Sequence, residues 1–158
     1  MRDEDIPAVR AIEQEIFPDP WPESAFQDCL TVPSRLNLVL VEGGDQVVGY
    51  LCAQCAADEI QIHNVAVASD CRRQGRGMRL LQAAEEEGLA RGALCAVLDV
   101  RASNEAALSL YARFGYRQIG RRRNYYRFPV CDALILFKSL TGSANAAGPK
   151  ELTNGMVS

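Results

Sequence analysis

Val65-Ala-Val-Ala-Ser-Asp-Cys-Arg-Arg-Gln-Gly-Arg-Gly-Met-Arg-Leu-Leu81 decides how this chain is read. The apolar start predicts a β-strand, and the leucines at the far end begin an amphipathic helix. Between them lies a basic loop with two glycines, Gly75 and Gly77. Glycine removes side chains that would screen backbone N–H groups, and a helix start adds unpaired donors and a positive dipole end. Arg72, Arg73 and Arg76 add charge. A loop of this kind suits a pyrophosphate. A solvated basic turn before an ordinary helix would carry the same residues, so the rest of the chain must decide.

The familiar phosphate loops fit poorly. Gly75-x-Gly77 is followed by Met78-Arg79-Leu80, so the third glycine of a dinucleotide fingerprint is missing. No Gly-Lys-Ser/Thr follows, which leaves magnesium-dependent nucleotide hydrolysis without support. The chain has 158 residues, 48% hydrophobic and 23% charged, as expected of one globular domain. A net charge of −3 argues against a nucleic-acid binder. Met1 to Pro7 is charged and lacks a signal-peptide core, and no apolar run approaches a membrane span. Cytoplasm is the expected location, and a monomer the expected state.

Six cysteines are scattered through apolar runs and read as buried thiols. Cys52-Ala-Gln-Cys55 has half of a zinc-knuckle spacing. Within a strand, however, residues three apart point to opposite faces, and His63 is the single histidine. No metal site is expected.

Ile6, Val9, Ile12 and Ile16 recur at helical spacing and predict an opening helix. Phe17-Pro-Asp-Pro-Trp-Pro22 breaks it, and a second helix runs to about Leu30. Leu36 to Val41 alternates and meets Gly43-Gly44-Asp45, a hairpin signal. The returning strand is Gln46 to Ala56, and a third strand runs from Glu59 to Val67. The helix after the basic loop spans about Gly77 to Ala90 and ends at Gly92. Leu94 to Arg101 is apolar enough for a strand covered on both faces. A short helix starts at Ser103 or Asn104 and closes at Phe114-Gly115. Tyr116 to Phe128 and Cys131 to Leu140 form a last antiparallel pair. This gives an α/β domain over residues 1–140, a mostly antiparallel twisted sheet flanked by helices. Residues 141–158 read as a disordered tail.

The third strand carries a contradiction. Ile60 and Ile62 put the apolar face on even positions, whereas Val65 and Val67 put it on odd ones. A strand changes parity only by gaining a residue, so a β-bulge near His63-Asn64 is predicted. A strand buried on both faces is the alternative.

Leu98-Asp-Val-Arg-Ala-Ser-Asn-Glu-Ala-Ala-Leu-Ser-Leu-Tyr-Ala-Arg-Phe-Gly-Tyr116 is a second constellation, with Asn104, Leu108 and Tyr111 on one helix face. Together with Gln74-Gly75-Arg76-Gly77, it resembles the GCN5-related N-acetyltransferases (GNAT). Within that superfamily the chain resembles the RimI-type ribosomal-protein-alanine N-acetyltransferases. The Pro-Trp element of Phe17 to Phe26, Asn64-Val-Ala-Val67 and Arg122-Arg-Asn-Tyr-Tyr126 extend the likeness over residues 4 to 140. The element order ααβββαβαββ is the GNAT order without its first strand. Either that strand is reduced here or the true start lies upstream.

The resemblance implies acetyl transfer from acetyl-CoA, without metal, to the N-terminal amine of a ribosomal protein, its alanine in the preferred case. It implies that Val65, Ala66, Val67, Arg73, Gln74, Gly75, Arg76, Gly77, Met78 and Asn104 bind the cofactor. It implies that the bulge offers an N–H to the thioester carbonyl, and that Tyr111 protonates the leaving thiolate. A tyrosine near ~10 can serve a thiolate whose conjugate acid lies near ~8.5. By spacing alone, Tyr111 would be an ordinary core aromatic.

The family places a glutamate, as general base, where this chain has Asp99. An acidic residue between Leu98 and Val100 in a buried strand is costly filler. Its alternative role is to accept backbone N–H groups at the strand-to-helix turn. Aspartate reaches on the order of 1.5 Å less than glutamate, so it would work through a water. An α-amine near ~8 is partly neutral at pH 7, whereas a lysine near ~10.4 is not. A relayed base therefore suits the α-amine. Arg121-Arg-Arg123 alternates faces in a strand and forms no basic stripe. Trp21 is expected as a packing anchor near the peptide groove, with Glu59 as a further contributor there. A GNAT acting on lysine or a small amine, and a CoA-binding module without turnover, are the rival readings.

Overall fold

The computed structural model describes residues 1–142. The expected disordered tail over residues 141–158 therefore falls almost wholly outside the described residues. Helix α1 (Ile6–Ile16) has Pro7 in its first turn, and helix α2 is Glu23–Thr31. Strands β1 (Arg35–Glu42) and β2 (Gln46–Ala56) form the hairpin, turning through Gly43 and Gly44 at φ 57° and 95°, a region glycine enters without penalty. Strand β3 (Glu59–Val67), helix α3 (Arg76–Ala90) and strand β4 (Cys95–Arg101) make a parallel crossover. Helix α4 (Glu105–Arg113) and the antiparallel pair β5 (Arg117–Arg127) and β6 (Val130–Ser139) complete the fold.

The six strands lie in the order β1-β2-β3-β4-β6-β5, antiparallel throughout except for β3 against β4. This is the expected α/β architecture. Ahead of α1 the described residues hold only a short 3-10 turn, Asp3–Asp5.

Periodicity decides which side chains meet. Ile6, Val9 and Ile12 of α1 join Phe26 and Cys29 of α2 against Tyr50, Cys52 and Ala66 on one sheet face. Leu80, Leu81 and Ala84 of α3 and Tyr111 of α4 pack on the other. Each such fully buried large side chain stabilises the fold by about 1.5–3 kcal/mol before entropy is counted. Cys52 belongs to the first cluster and Cys55 packs against the second, so the Cys-x-x-Cys pair points to opposite faces. All six cysteines are free thiols. Among the described residues, no helix is long and apolar enough to cross a membrane.

Candidate functional site

The parallel pair β3–β4 is short. It runs from Glu59 opposite Cys95 to Ile62 opposite Leu98 and then stops. At that point β3 holds one residue more than β2: Cys52 lies opposite Asn64 and Ala53 opposite Ile62, leaving His63 as the extra residue. Ile60 and Ile62 sit in the α3–α4 cluster, and Val65 and Val67 pack against that same cluster. Ala66 belongs to the α1–α2 side. The parity change in the sequence is therefore a bulge at His63. Beyond it β3 and β4 separate, and the β4-facing backbone groups of Val65, Ala66 and Val67 have no partner strand. Asp99 is the first β4 residue past the last pair.

At one end of this opening the basic loop meets α3. Gly75 stands at the helix N-cap with φ 74°, a left-handed conformation natural to glycine, and no side chain caps the helix. The first-turn N–H groups of Arg76, Gly77 and Met78 thus remain open to an anion. The side chains divide differently from the sequence expectation. Arg76 grips Glu42 of β1 with Nε at 2.9 Å and NH2 at 2.5 Å, and its NH1 reaches Cys71 O and Gln74 Oε1. Its charge braces the loop, and Gln74 is drawn into the same brace. Arg73, at φ 64°, is exposed. Gly77 lies close under α4: a Cβ there would stand 2.9 Å from Leu110 Cδ2, so that side chain would have to move.

At the other end stand the ionisable groups. Asp99 is mostly buried, with Arg122 Nε 3.7 Å from its Oδ2, too long for a hydrogen bond. Burial raises its carboxyl pKa above the usual range while Arg122 pulls it down. Asp99 does not cap α4; Asn104 does, its Oδ1 accepting Ala107 N–H at 3.1 Å. Burial, followed by the charge of Asp99, pushes the Tyr126 phenol up to about 12. Tyr111 packs edge-on against Tyr116 with ring centroids 5.7 Å apart. Burial drives its pKa well above the ordinary value, so it holds its proton. Burial, with Arg35, lowers the His63 pKa to about 4, and its Nε2 has no hydrogen-bond partner among the described residues. Glu59 is opposite Cys95, at the closed end of the strand pair and away from this group.

Two features escaped the sequence reading. Glu13 of α1 is only 1% exposed. Its Oε1 accepts Trp21 N–H at 2.9 Å, and its Oε2 accepts the Asn64 amide at 2.9 Å and the Tyr50 hydroxyl. Trp21 also packs on Phe26 at 5.5 Å, the expected anchor. The second is a wide irregularity in β5, where Arg122 faces Ala133 but Tyr126 faces Cys131. Asn124 adopts φ 51° there, a conformation asparagine tolerates. Asp132 fixes it, accepting Asn124 N–H at 2.8 Å and Arg121 Nε at 2.6 Å.

Known proteins share this sequence pattern and fold. The model of the acetyltransferase (GNAT) family matches residues 6–116. Over 128 residues the chain is 38% identical to the ribosomal protein bS18-alanine N-acetyltransferase of Escherichia coli K12, covering 81% of this chain and 84% of that one. It is 35% identical over 131 residues to the N-alpha-acetyltransferase RimI of Mycobacterium tuberculosis, covering 79% and 80%. The crystal structure of the ribosomal-protein-S18-alanine N-acetyltransferase from Escherichia coli superposes with a TM-score of 0.81 at 33% identity, over 93% of this chain and 96% of that one. With the bulged strand, the uncapped helix start and these relatives in agreement, the chain belongs to the GNAT family of acetyltransferases.

Proposed function

We propose that this protein transfers the acetyl group of acetyl-CoA to the N-terminal α-amine of ribosomal protein bS18, whose alanine the curated relatives are named for. It works as a cytoplasmic monomer. The observation that carries the reading is the opening between β3 and β4. An uncapped helix N-terminus lies at one end, and a mostly buried, loosely paired carboxylate at the other. The pyrophosphate of acetyl-CoA is held by the first-turn N–H groups of α3 and by the exposed Arg73, with Gly75 setting the turn. The open edge of Val65, Ala66 and Val67 takes the rest of the donor between the strands.

The reaction is a direct attack. Asp99 accepts a proton from the α-ammonium, and the freed nitrogen forms a C–N bond to the thioester carbonyl. A bulge N–H near Val65 stabilises the resulting oxyanion. The C–S bond then breaks as Tyr111 gives its proton to the thiolate. The nitrogen sheds its second proton, which restores the Tyr111 phenol, and Asp99 passes the first to solvent, leaving the neutral amide and the free thiol. Burial raises the pKa of the phenol, and the same dry surroundings raise that of a thiolate formed there, so the two shift in the same direction. Asp99, raised by burial yet left without a direct hydrogen bond to Arg122, is free to take the amine proton. An α-amine near ~8 asks little of such a base; a lysine near ~10.4 asks more.

A competition assay tests the reading, offering a peptide that begins with alanine, an internal-lysine peptide and a polyamine together. Acetyl should accumulate on the alanine peptide. Preference for lysine or polyamine would overturn the substrate assignment.

A further inference from the structure

Burying a carboxylate carries a large desolvation cost, and apolar side chains of similar volume often serve stability as well or better. Glu13 sits in a cluster made of Ile6, Val9, Ile12, Phe26 and Tyr50, where leucine would fill the same space. What leucine could not do is receive three donors from three separate segments. Trp21 N–H comes from the proline-rich connection between α1 and α2, the Tyr50 hydroxyl from β2, and the Asn64 amide from the β3 bulge.

Asn64 gives the network its functional meaning. It directly follows His63, the extra residue, and is itself buried. A strand could relieve the extra residue by slipping, which would return Val65 and Val67 to the wrong face. Holding the Asn64 side chain on the α1 side prevents that slip and fixes the direction of the backbone at Val65. The same carboxylate holds the main chain at Trp21, on the sheet face shared by Asn64.

We propose that Glu13 is a positioning residue for acetyl transfer: through Asn64 it fixes the bulge that serves the acetyl carbonyl, and through Trp21 it ties that bulge to the segment between α1 and α2. The inference rests on the reaction proposed above. It gives Glu13 no contact with either substrate.

The test exploits the direction of the hydrogen bonds. Glu13→Gln keeps the shape but replaces one acceptor oxygen by a donor, so Trp21 N–H, the Tyr50 hydroxyl and the Asn64 amide can no longer all be accepted as they are in wild type. In the folded variant kcat should fall roughly tenfold, while the thermal shift caused by acetyl-CoA stays as in wild type. Adding Asn64→Asp restores a donor–acceptor pair in reverse, and kcat should recover to within about threefold of wild type. If Glu13→Gln alone does not fold, the reversed pair and Asn64→Leu carry the comparison, with recovery expected in the first and the loss in the second. A role in stability alone would lower Tm, leave kcat of the folded protein unchanged and show no rescue of rate, and that result overturns the inference. Turnover is read as release of the CoA thiol with whichever amine wild type accepts. A wild type that prefers another amine removes the substrate assignment while the Glu13 comparison, run on that amine, still decides. A wild type that turns over no amine overturns both.

Discussion

Two of the sheet's irregularities, at His63 of β3 and around Asn124 of β5, are each held by one carboxylate, in opposite electrostatic settings. Glu13 reaches the β3 bulge from a helix through the interior, and burial raises its pKa, opposed by Trp21 N–H and the Asn64 amide. Asp132 reaches the β5 irregularity at the surface. The Asn124 N–H, together with Arg121, holds its carboxyl below the usual range. A lowered carboxyl pKa carries stability that is present above the unfolded value and lost as pH falls through the folded one. A raised one does the reverse, so protonation favours the folded form. The interior carboxylate holds Asn64 beside the bulge on which the proposed acyl site rests; the surface one holds the segment bearing Tyr125 and Tyr126. Acyl chemistry should therefore depend on the β3 side of the opening, and capture of the incoming amine on the β5 side, where Tyr126 stands close enough to Asp99 to feel its charge.

The largest effect should come from Gly75→Asp. The substitution forces a side chain onto φ 74° and puts negative charge at the start of α3. A saturating ligand stabilises by about 2.7 kcal/mol at a hundredfold excess over Kd. Acetyl-CoA should raise Tm in wild type and leave this variant unmoved. An unchanged shift would remove the loop from the cofactor site and break the division between the two ends.

Tyr111→Phe should be next, lowering kcat by roughly 10²-fold with acetyl-CoA and peptide binding preserved. Wild-type kcat in this variant would make Tyr111 a core aromatic only.

Asp132→Ala sharpens the comparison from the other side. Freed from Asn124 and Arg121, the β5 irregularity should loosen and raise KM for the peptide roughly tenfold, with kcat little changed. A loss of kcat instead would mean that the β5 segment also positions the acyl chemistry.

Much of this was legible in the sequence because it is written in local patterns. The parity change from Ile62 to Val65 located the bulge, and the glycine pair after Glu42 located the hairpin. The start of α4 followed from Ser103-Asn104. Glu13 left a local sign that was passed over, since it stands four residues after Val9 and three before Ile16, on the apolar stripe of α1 itself; what is not local is the set of donors, Trp21, Tyr50 and Asn64, that converge on it. Arg76 was read as charge for a phosphate, whereas Glu42, 34 residues away, takes it. Gly77 was read as backbone access; its closeness to Leu110 of a later helix had no sign in the local sequence. The irregularity in β5 had a single local sign, an asparagine at Asn124, and needed Asp132 across the hairpin to fix it.

The account places the reaction in the opening beside the β3 bulge, with Asp99 taking the amine proton. Initial rates of Asp99→Asn on an alanine-started peptide, from about pH 6 to about pH 9, test this most directly. Only the ionised carboxylate accepts a proton, and asparagine never ionises. The α-amine, with a pKa near ~8, needs the base most where it is itself protonated. The variant should lose most activity at low pH and approach wild type toward high pH, while acetyl-CoA still raises its Tm. A rate equal to wild type across the whole range would contradict the account, leaving Asp99 a structural residue and the proton to another acceptor.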